Sequence, residues 1–232
     1  MKLPTPLLRG SLVKRYRRSL VDVTLDDGTM VTAHCGNPGP MVGCCTPGND
    51  VILSDSGNPS RRHRLTWELI QTGETWVCIN PTIARRVVFD ALQSRLIPSL
   101  QQYKEIERET LYGAGMKIDL ILQGMERNCF LNIFNVTWAE KGTALFPDVA
   151  HQRYRKSIAD LTEIANQGHS AVAFFFVQRG DCTLFRPAEH IDREFLKALL
   201  HAEDKGVEIL VYRASITVDE IGLGTPLAYA LA

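Results

Sequence analysis

The sequence predicts an α/β fold joined to a small all-β domain. An OB-like β-barrel is expected over residues 1–82, and a mixed sheet with flanking helices over residues 83–232. Three observations carry this. Short β-rich runs separated by Gly, Pro and Asn turns fill the first eighty residues. The pattern changes to helical spacing at Asn80-Pro81. Beyond that point strands and helices alternate.

Residues 20–25 form a β-rich run, Asp26-Asp27-Gly28 supplies a hairpin turn, and residues 29–34 return as its partner. Residues 36–43 hold too much Gly and Pro for a regular element. Pro47-Gly48-Asn49 turns into a strand at 50–53, and residues 56–60 make a polar loop. Residues 66–71 and 75–79 form a hairpin around Gly73. Five or six short strands in this span suggest a small barrel. Residues 82–94 then read as a helix, with Ile83, Val87 and Ala91 on one face and Arg85 and Arg86 off it.

Strands follow at 108–112, 116–122 and 129–136, the last two joined by a turn at Glu126-Arg127-Asn128. Pro147-Asp148 opens a second helix, with Asp148 its expected N-cap and Gly168 its end. Tyr154, Ile158, Leu161 and Ala165 share its apolar face. A buried strand at 170–177, a helix at 191–203 and a strand at 206–212 make a βαβ unit, whose two strands should run parallel.

No apolar run approaches the ~20 residues of a membrane span, and the N-terminus lacks an apolar signal core. No membrane partner is expected, and the expected compartment is cytoplasmic. Six cysteines occur without any C-x-x-C pair, so zinc-ribbon spacing is absent. His34, Cys35 and Cys44 leave one metal alternative open beside buried thiols. Formal net charge is zero, yet six basic residues lie between Lys2 and Arg18, before the first acid, Asp22.

The order α-β-β-β-α-β with an aspartate on its second strand is that of PD-(D/E)xK nuclease-like domains. There an Asp and a Glu on neighbouring strands hold Mg²⁺ through oxygen, and a Lys two residues after the Glu orients a water. Here Asp119 stands on the first of the two strands. Asn132 occupies the glutamate position and Phe134 the lysine position.

The chain resembles the sugar fermentation stimulation protein family. The match rests on the loop His34-Cys35-Gly36-Asn37-Pro38-Gly39-Pro40-Met41-Val42-Gly43-Cys44, close to a family pattern H-C-x-N-T-G-x-M-x-G. It also rests on Pro47-Gly48, Thr66-Trp67-Glu68-Leu69, Tyr112-Gly113-Ala114, Ile118-Asp119, Val136-Thr137, Phe146-Pro147-Asp148 and Gly206-Val207-Glu208-Ile209-Leu210. The resemblance implies an OB-type barrel fused to a nuclease-like domain, DNA binding, and a link to the control of sugar utilisation.

The departures from the family concern chemistry. Only Asp119 of the carboxylate pair carries over. A family helix motif R-G-x-K-H-L reads here Arg153-Tyr154-Arg155-Lys156-Ser157-Ile158, and Pro38 replaces a threonine. Nuclease activity is therefore not expected. Mg²⁺ or Mn²⁺ enters only under an alternative in which Asp119 binds it weakly and Lys156 replaces the missing lysine. A regulatory protein-interaction module is a second alternative.

Expected DNA contacts, mainly to backbone phosphates, are Lys14, Arg15, Arg17 and Arg18, then Arg61, Arg62 and Arg64, and Arg153 and Arg155 on the later helix. Each group also reads as solvated surface. Trp67 and Tyr16 are candidates for base stacking, or for core. His34 and Asn37 are placed in the Gly/Pro loop, where function or loop fixing are equal readings. Oligomeric state is open, a homodimer included.

Overall fold

The computed structural model describes residues 1–113 and 115–231. The barrel strands are β1 (Leu7–Tyr16), β2 (Leu20–Leu25), β3 (Met30–Cys35), β4 (Asp50–Asp55), β5 (Leu65–Thr72) and β6 (Thr75–Cys78). Strand β1 pairs with β2 and β4, β2 with β3, and β4 with β5. A parallel contact of β3 with β5 closes the ring in the order 1-2-3-5-4, the strand order of an OB barrel. Strand β6 extends β5 outside the ring.

Sequence reasoning placed no element over β1. Its Leu12 points into the barrel beside Gly10, while the run of basic residues at its end reads as plain surface. Gly10 is required there, because a Cβ would collide with the Thr24 carbonyl oxygen and the Val23 side chain of β2.

The second half comprises α1 (Pro81–Gln93), β7 (Glu105–Tyr112), β8 (Met116–Gln123), β9 (Cys129–Val136), β10 (Ala139–Glu140), β11 (Thr143–Phe146), α2 (Gln152–Asn166), β12 (Ser170–Val177), β13 (Leu184–Pro187), α3 (Arg193–Asp204), β14 (Glu208–Ile216), β15 (Ile221–Pro226) and β16 (Ala228–Tyr229). The main sheet runs β15-β14-β12-β9-β8-β7, with β12 parallel to both β9 and β14, as the strand–helix–strand pattern requires. A small sheet, β10-β11-β13-β16, lies beside it. Its strands are too short and too mixed to stand out in the sequence. Helices α2 and α3 cover one face of the main sheet through Ile158, Leu161, Phe195 and Leu199. Helix α1 covers the other through Ile83, Val87 and Val88.

One helix start is as expected and one is corrected. Asn80 caps α1 by accepting the Thr82 N–H at 3.0 Å, with Pro81 in the first turn. Asp148 does not cap α2. His151 does, its Nδ1 accepting the Arg153 N–H at 3.1 Å. The Asp148 carboxylate is drawn away to the Met41 N–H at 3.2 Å, across the boundary between the two halves.

The barrel has its own core, including Leu12, Val23, Leu53, Trp67 and Ile70. A second apolar cluster crosses the boundary, joining Leu3, Ile52, Leu69 and Cys78 to α1 and to Phe174 and Phe176 of β12. The Cys78 N–H also donates to the Gln178 carbonyl at 3.0 Å, and the Leu3 N–H to that of Asp219 at 2.8 Å. Strand assignment thus divides the chain near residue 82, whereas apolar burial does not.

A buried acid fastens this seam. Glu68 of β5 accepts from Ser54 of β4 at 2.6 Å and from the amide of the helix cap Asn80 at 2.7 Å. Burial raises its carboxyl above the ordinary glutamate range, and the two hydrogen bonds only partly oppose this. Between the unfolded pKa, about 4.3, and the raised folded value, the folded chain holds the extra proton. Its contribution to stability therefore falls as pH rises through that window. Glu68→Gln removes the charge: its oxygen accepts from Asn80 and its amide donates to Ser54 Oγ, which turns from donor to acceptor. The stability difference between variant and parent, from urea unfolding at pH 4 to 8, should grow with pH in favour of glutamine.

Candidate nucleic-acid interface

The aspartate and asparagine singled out in the sequence meet where β8 and β9 diverge. The ladder pairs Leu120 with Leu131 and continues to Leu122 and Cys129. Beyond Leu120 side chains replace the backbone bonds. Asn132 Oδ1 accepts the Asp119 N–H at 2.9 Å, and Asp119 Oδ2 accepts the Ile133 N–H at 2.8 Å. The other carboxylate oxygen of Asp119 lies 3.2 Å from Nε of Arg85, on the exposed face of α1. Asn132 Nδ2 donates to Ser157 Oγ on α2 at 2.7 Å.

This arrangement does not fit a divalent cation. Such an ion needs carboxylate oxygens aimed at open space. Both Asp119 oxygens face N–H groups, and the Asn132 oxygen is turned to a backbone amide. Among the described residues, no three His, Cys, Asp or Glu side chains form a metal-holding group. Phe134 fills the expected lysine space with a ring stacked on Phe175 at 4.9 Å and edged by Phe146 and Phe195.

Asp119, Asn132 and Phe134 line a cleft of about 600 Å³. Its walls come from both halves of the chain: Asn37, Pro38 and Gly39 from the barrel loop, and Arg153 and Lys156 from α2. Asn37 stabilises its own turn by accepting the Gly39 N–H at 2.8 Å, and its carbonyl accepts from Arg15 at 2.6 Å. The Asp148 bond to Met41 clamps the same loop to the second half. Burial raises the Asp148 carboxyl, opposed by that N–H. His34, by contrast, lies in β3, paired with Leu20 and Thr66, and outside the cleft.

The basic residues divide into distinct groups. Arg15, Arg17 and Arg18 surround the β1–β2 turn, where Arg17 and Arg18 adopt φ of 50° and 60°. Lys14 is exposed, 3.7 Å from Asp22. Arg61 and Arg62 are exposed on the β4–β5 loop, and Arg64 is paired with Asp55 at 2.7 Å. Arg153 lies over the Tyr154 ring at 4.7 Å and borders the cleft. Lys156 is paired with Asp160 one turn along at 2.8 Å, rather than with Asp119.

Two expected contacts are corrected. Trp67 is fully buried in the barrel core, its Nε1–H donating to Leu69 O at 2.8 Å, so it offers no face to a base. An eighty-residue barrel needs such a large side chain inside. Arg155 is turned to Asp192, the buried N-cap of α3, at 3.0 Å, and joins two helices. Tyr16 is half-buried and donates to Asp22 at 3.1 Å.

Sequence reading did not place Arg85 against Asp119, nor Arg86 and Arg108 beside it. Its one available signal was that Arg85 and Arg86 lie off the apolar face of α1. The three thiols in the cysteine-rich region are buried or half-buried. Cys44 is pushed up to about 12 by burial, which leaves it protonated and unreactive at neutral pH.

Two family models cover the chain. The SfsA N-terminal OB domain matches residues 13–79, and the sugar fermentation stimulation protein RE domain matches residues 82–220. This chain belongs to the sugar fermentation stimulation protein family. A homolog from Citrifermentans bemidjiense is 45% identical over 231 residues, covering 100% of both chains. One from Geobacter sulfurreducens is 46% identical, covering 96% of both. The fold is also that of Pyrococcus furiosus SfsA, solved in complex with Ca²⁺, with a TM-score of 0.89 at 19% identity over 99% of this chain and 98% of that one. Of the family-matching segment Tyr112-Gly113-Ala114, the last residue lies outside the described residues.

Two outcomes follow from the packing. Arg155→Ala leaves the Asp192 carboxylate buried without its cation, so the protein should lose about 1–3 kcal/mol in thermal or urea unfolding. Phe134→Lys places an ammonium among Phe146, Phe175 and Phe195. It should cost about 3 kcal/mol or more, and adding Asn132→Glu should not recover that loss.

Proposed function

We propose that this chain is a DNA-binding protein on a nuclease-like scaffold that engages phosphates without a divalent ion. The observation that carries the reading is the Arg85 guanidinium lying against Asp119 inside the cleft. A permanent cation there supplies positive charge to a phosphate without needing two carboxylates to hold it. Lys117, Arg153 and Lys156 border the same cleft. The exposed β1–β2 turn adds Arg17 and Arg18. These groups suit backbone contact rather than base reading. Buried Trp67 removes the stacking contribution expected from that residue.

A cutting reaction would need a bound water made nucleophilic by a metal. The donor set around Asp119 does not suit one, and Lys156 is committed to Asp160. The nuclease alternative using Asp119 and Lys156 therefore has less support than binding alone. The relatives' name suggests a regulatory role in sugar utilisation, which we carry as part of the proposal.

The test is a salt titration of binding to single- and double-stranded DNA, with EDTA, Mg²⁺ or Mn²⁺. Affinity should fall steeply with salt, be unchanged by EDTA, and proceed without strand cleavage. Replacing Lys14, Arg15, Arg17 and Arg18 by Ala should flatten the slope by about one unit per lost phosphate contact. Mg²⁺-dependent cutting that vanishes in Asp119→Ala would establish the nuclease instead. No binding to either strand form at low salt would point to a protein-interaction module.

A further inference from the structure

A second, smaller groove of about 200 Å³ adjoins the Arg85–Asp119 pair. Arg85, Asp119 and Ile133 line both this groove and the larger cleft, so the ion pair forms the bar between two adjoining depressions. The smaller groove adds Arg86 of α1 and Arg108 of β7, above the ring of Phe89. Among the described residues, its charged lining is three arginines and one aspartate.

Arg108 lies over Phe89, with the guanidinium carbon 3.3 Å from the ring centroid. Stacking holds the plane of the guanidinium by its face and leaves its edge N–H groups pointing outward. Arg86 and Arg108 are both exposed. Among the described residues, neither has a carboxylate within ion-pair distance, unlike Arg64, Arg155 and Arg179. A pair of guanidiniums without a carboxylate partner among the described residues, one of them held against a ring, is suited to phosphate oxygens.

We infer that the smaller groove is a second phosphate subsite, in which Arg86 and Arg108 hold the backbone of a nucleic-acid strand that crosses Arg85 from the larger cleft. This rests on the DNA-binding reading above and extends it to a surface with no counterpart among the basic clusters read from the sequence. The strand enters between the barrel loop and α2, passes the Arg85–Asp119 bar, and leaves along α1 and the edge strand β7. The recognised chemistry is the phosphodiester backbone, so the subsite adds affinity without sequence preference.

The experiment compares the full chain with R86Q/R108Q, R86K/R108K and, as a remote control on α3, R193A/K197A. Binding of one DNA oligonucleotide, single-stranded and duplex, is measured across salt concentration. Two lost contacts should make the slope of log K against log salt shallower by about 1.4 for single strands or about 1.8 for duplex. R86K/R108K should keep most of the slope, and R193A/K197A should match the parent. A parent-like slope and affinity in R86Q/R108Q, while the parent binds, overturns the subsite alone. A parent that binds neither strand form overturns the DNA-binding reading and the subsite with it. If R86Q/R108Q unfolds, R86Q alone decides, since Arg86 does not stack on Phe89, and about half the slope change is then expected.

Discussion

The cleft depends on how the barrel holds the first helix of the second half. Glu68 connects β4, β5 and the cap of α1 through two short hydrogen bonds inside the apolar seam. Asn80 therefore serves two elements: its amide N–H₂ donates to Glu68 while its oxygen caps the helix. The start and direction of α1 are fixed by the barrel, and α1 carries Arg85, Arg86 and Phe89. A burial-raised carboxyl is an expensive way to make a joint, and a glutamine would reach the same two partners only with the Ser54 bond reversed. What the ionisable group adds is a seam whose strength varies with pH.

A second connection, Asp148 to the Met41 N–H, sets the other wall. It spends a carboxylate that sequence patterning assigns to a helix cap, and His151 takes over the cap. The seam and this clamp together hold the cleft open between the Asn37–Gly39 turn and α2. The walls are held by hydrogen bonds at both ends, so the cleft belongs to the folded chain as a whole. Neither half alone contains it.

Much of the fold was legible, because it follows from local chemistry. The Asn80-Pro81 switch marks a real helix start, and the β12–α3–β14 unit is parallel as its pattern demands. Strand β1 escaped because its inward positions are few and one is Gly10, whose role is close approach rather than burial. The small sheet escaped because strands of two to four residues carry no period. At the site, Asp119, Asn132 and Phe134 could be aligned on the nuclease-like pattern, and strand alternation put Asn132 and Phe134 on one face. Trp67 could not be assigned to core or surface, since an aromatic on a barrel strand fits either until the ring closes. Arg85 could not be linked to Asp119 by any spacing, because the angle between α1 and β8 is set by packing across the seam.

The substitutions around Asp119 form a coupled set rather than separate losses. Asn132 presents its oxygen to the Asp119 N–H and its amide to Ser157, so it bonds a donor on one side and an acceptor on the other. A glutamate there could still accept from the backbone, but it would bring a second negative charge beside a carboxylate already matched by one guanidinium. Phe134 is likewise tied to three rings on the α2–α3 side of the sheet, so the space that a lysine would need is part of that core. Restoring either residue alone creates an unbalanced charge, and restoring both still leaves Arg85 against Asp119. Neighbours that share partners in this way do not act additively. The hydrogen-bonded and ion-paired arrangement of Asp119 is thus held by the helix, by both strands and by the core beneath them. A two-carboxylate site at this position would require α1, β9 and the phenylalanine cluster to change together.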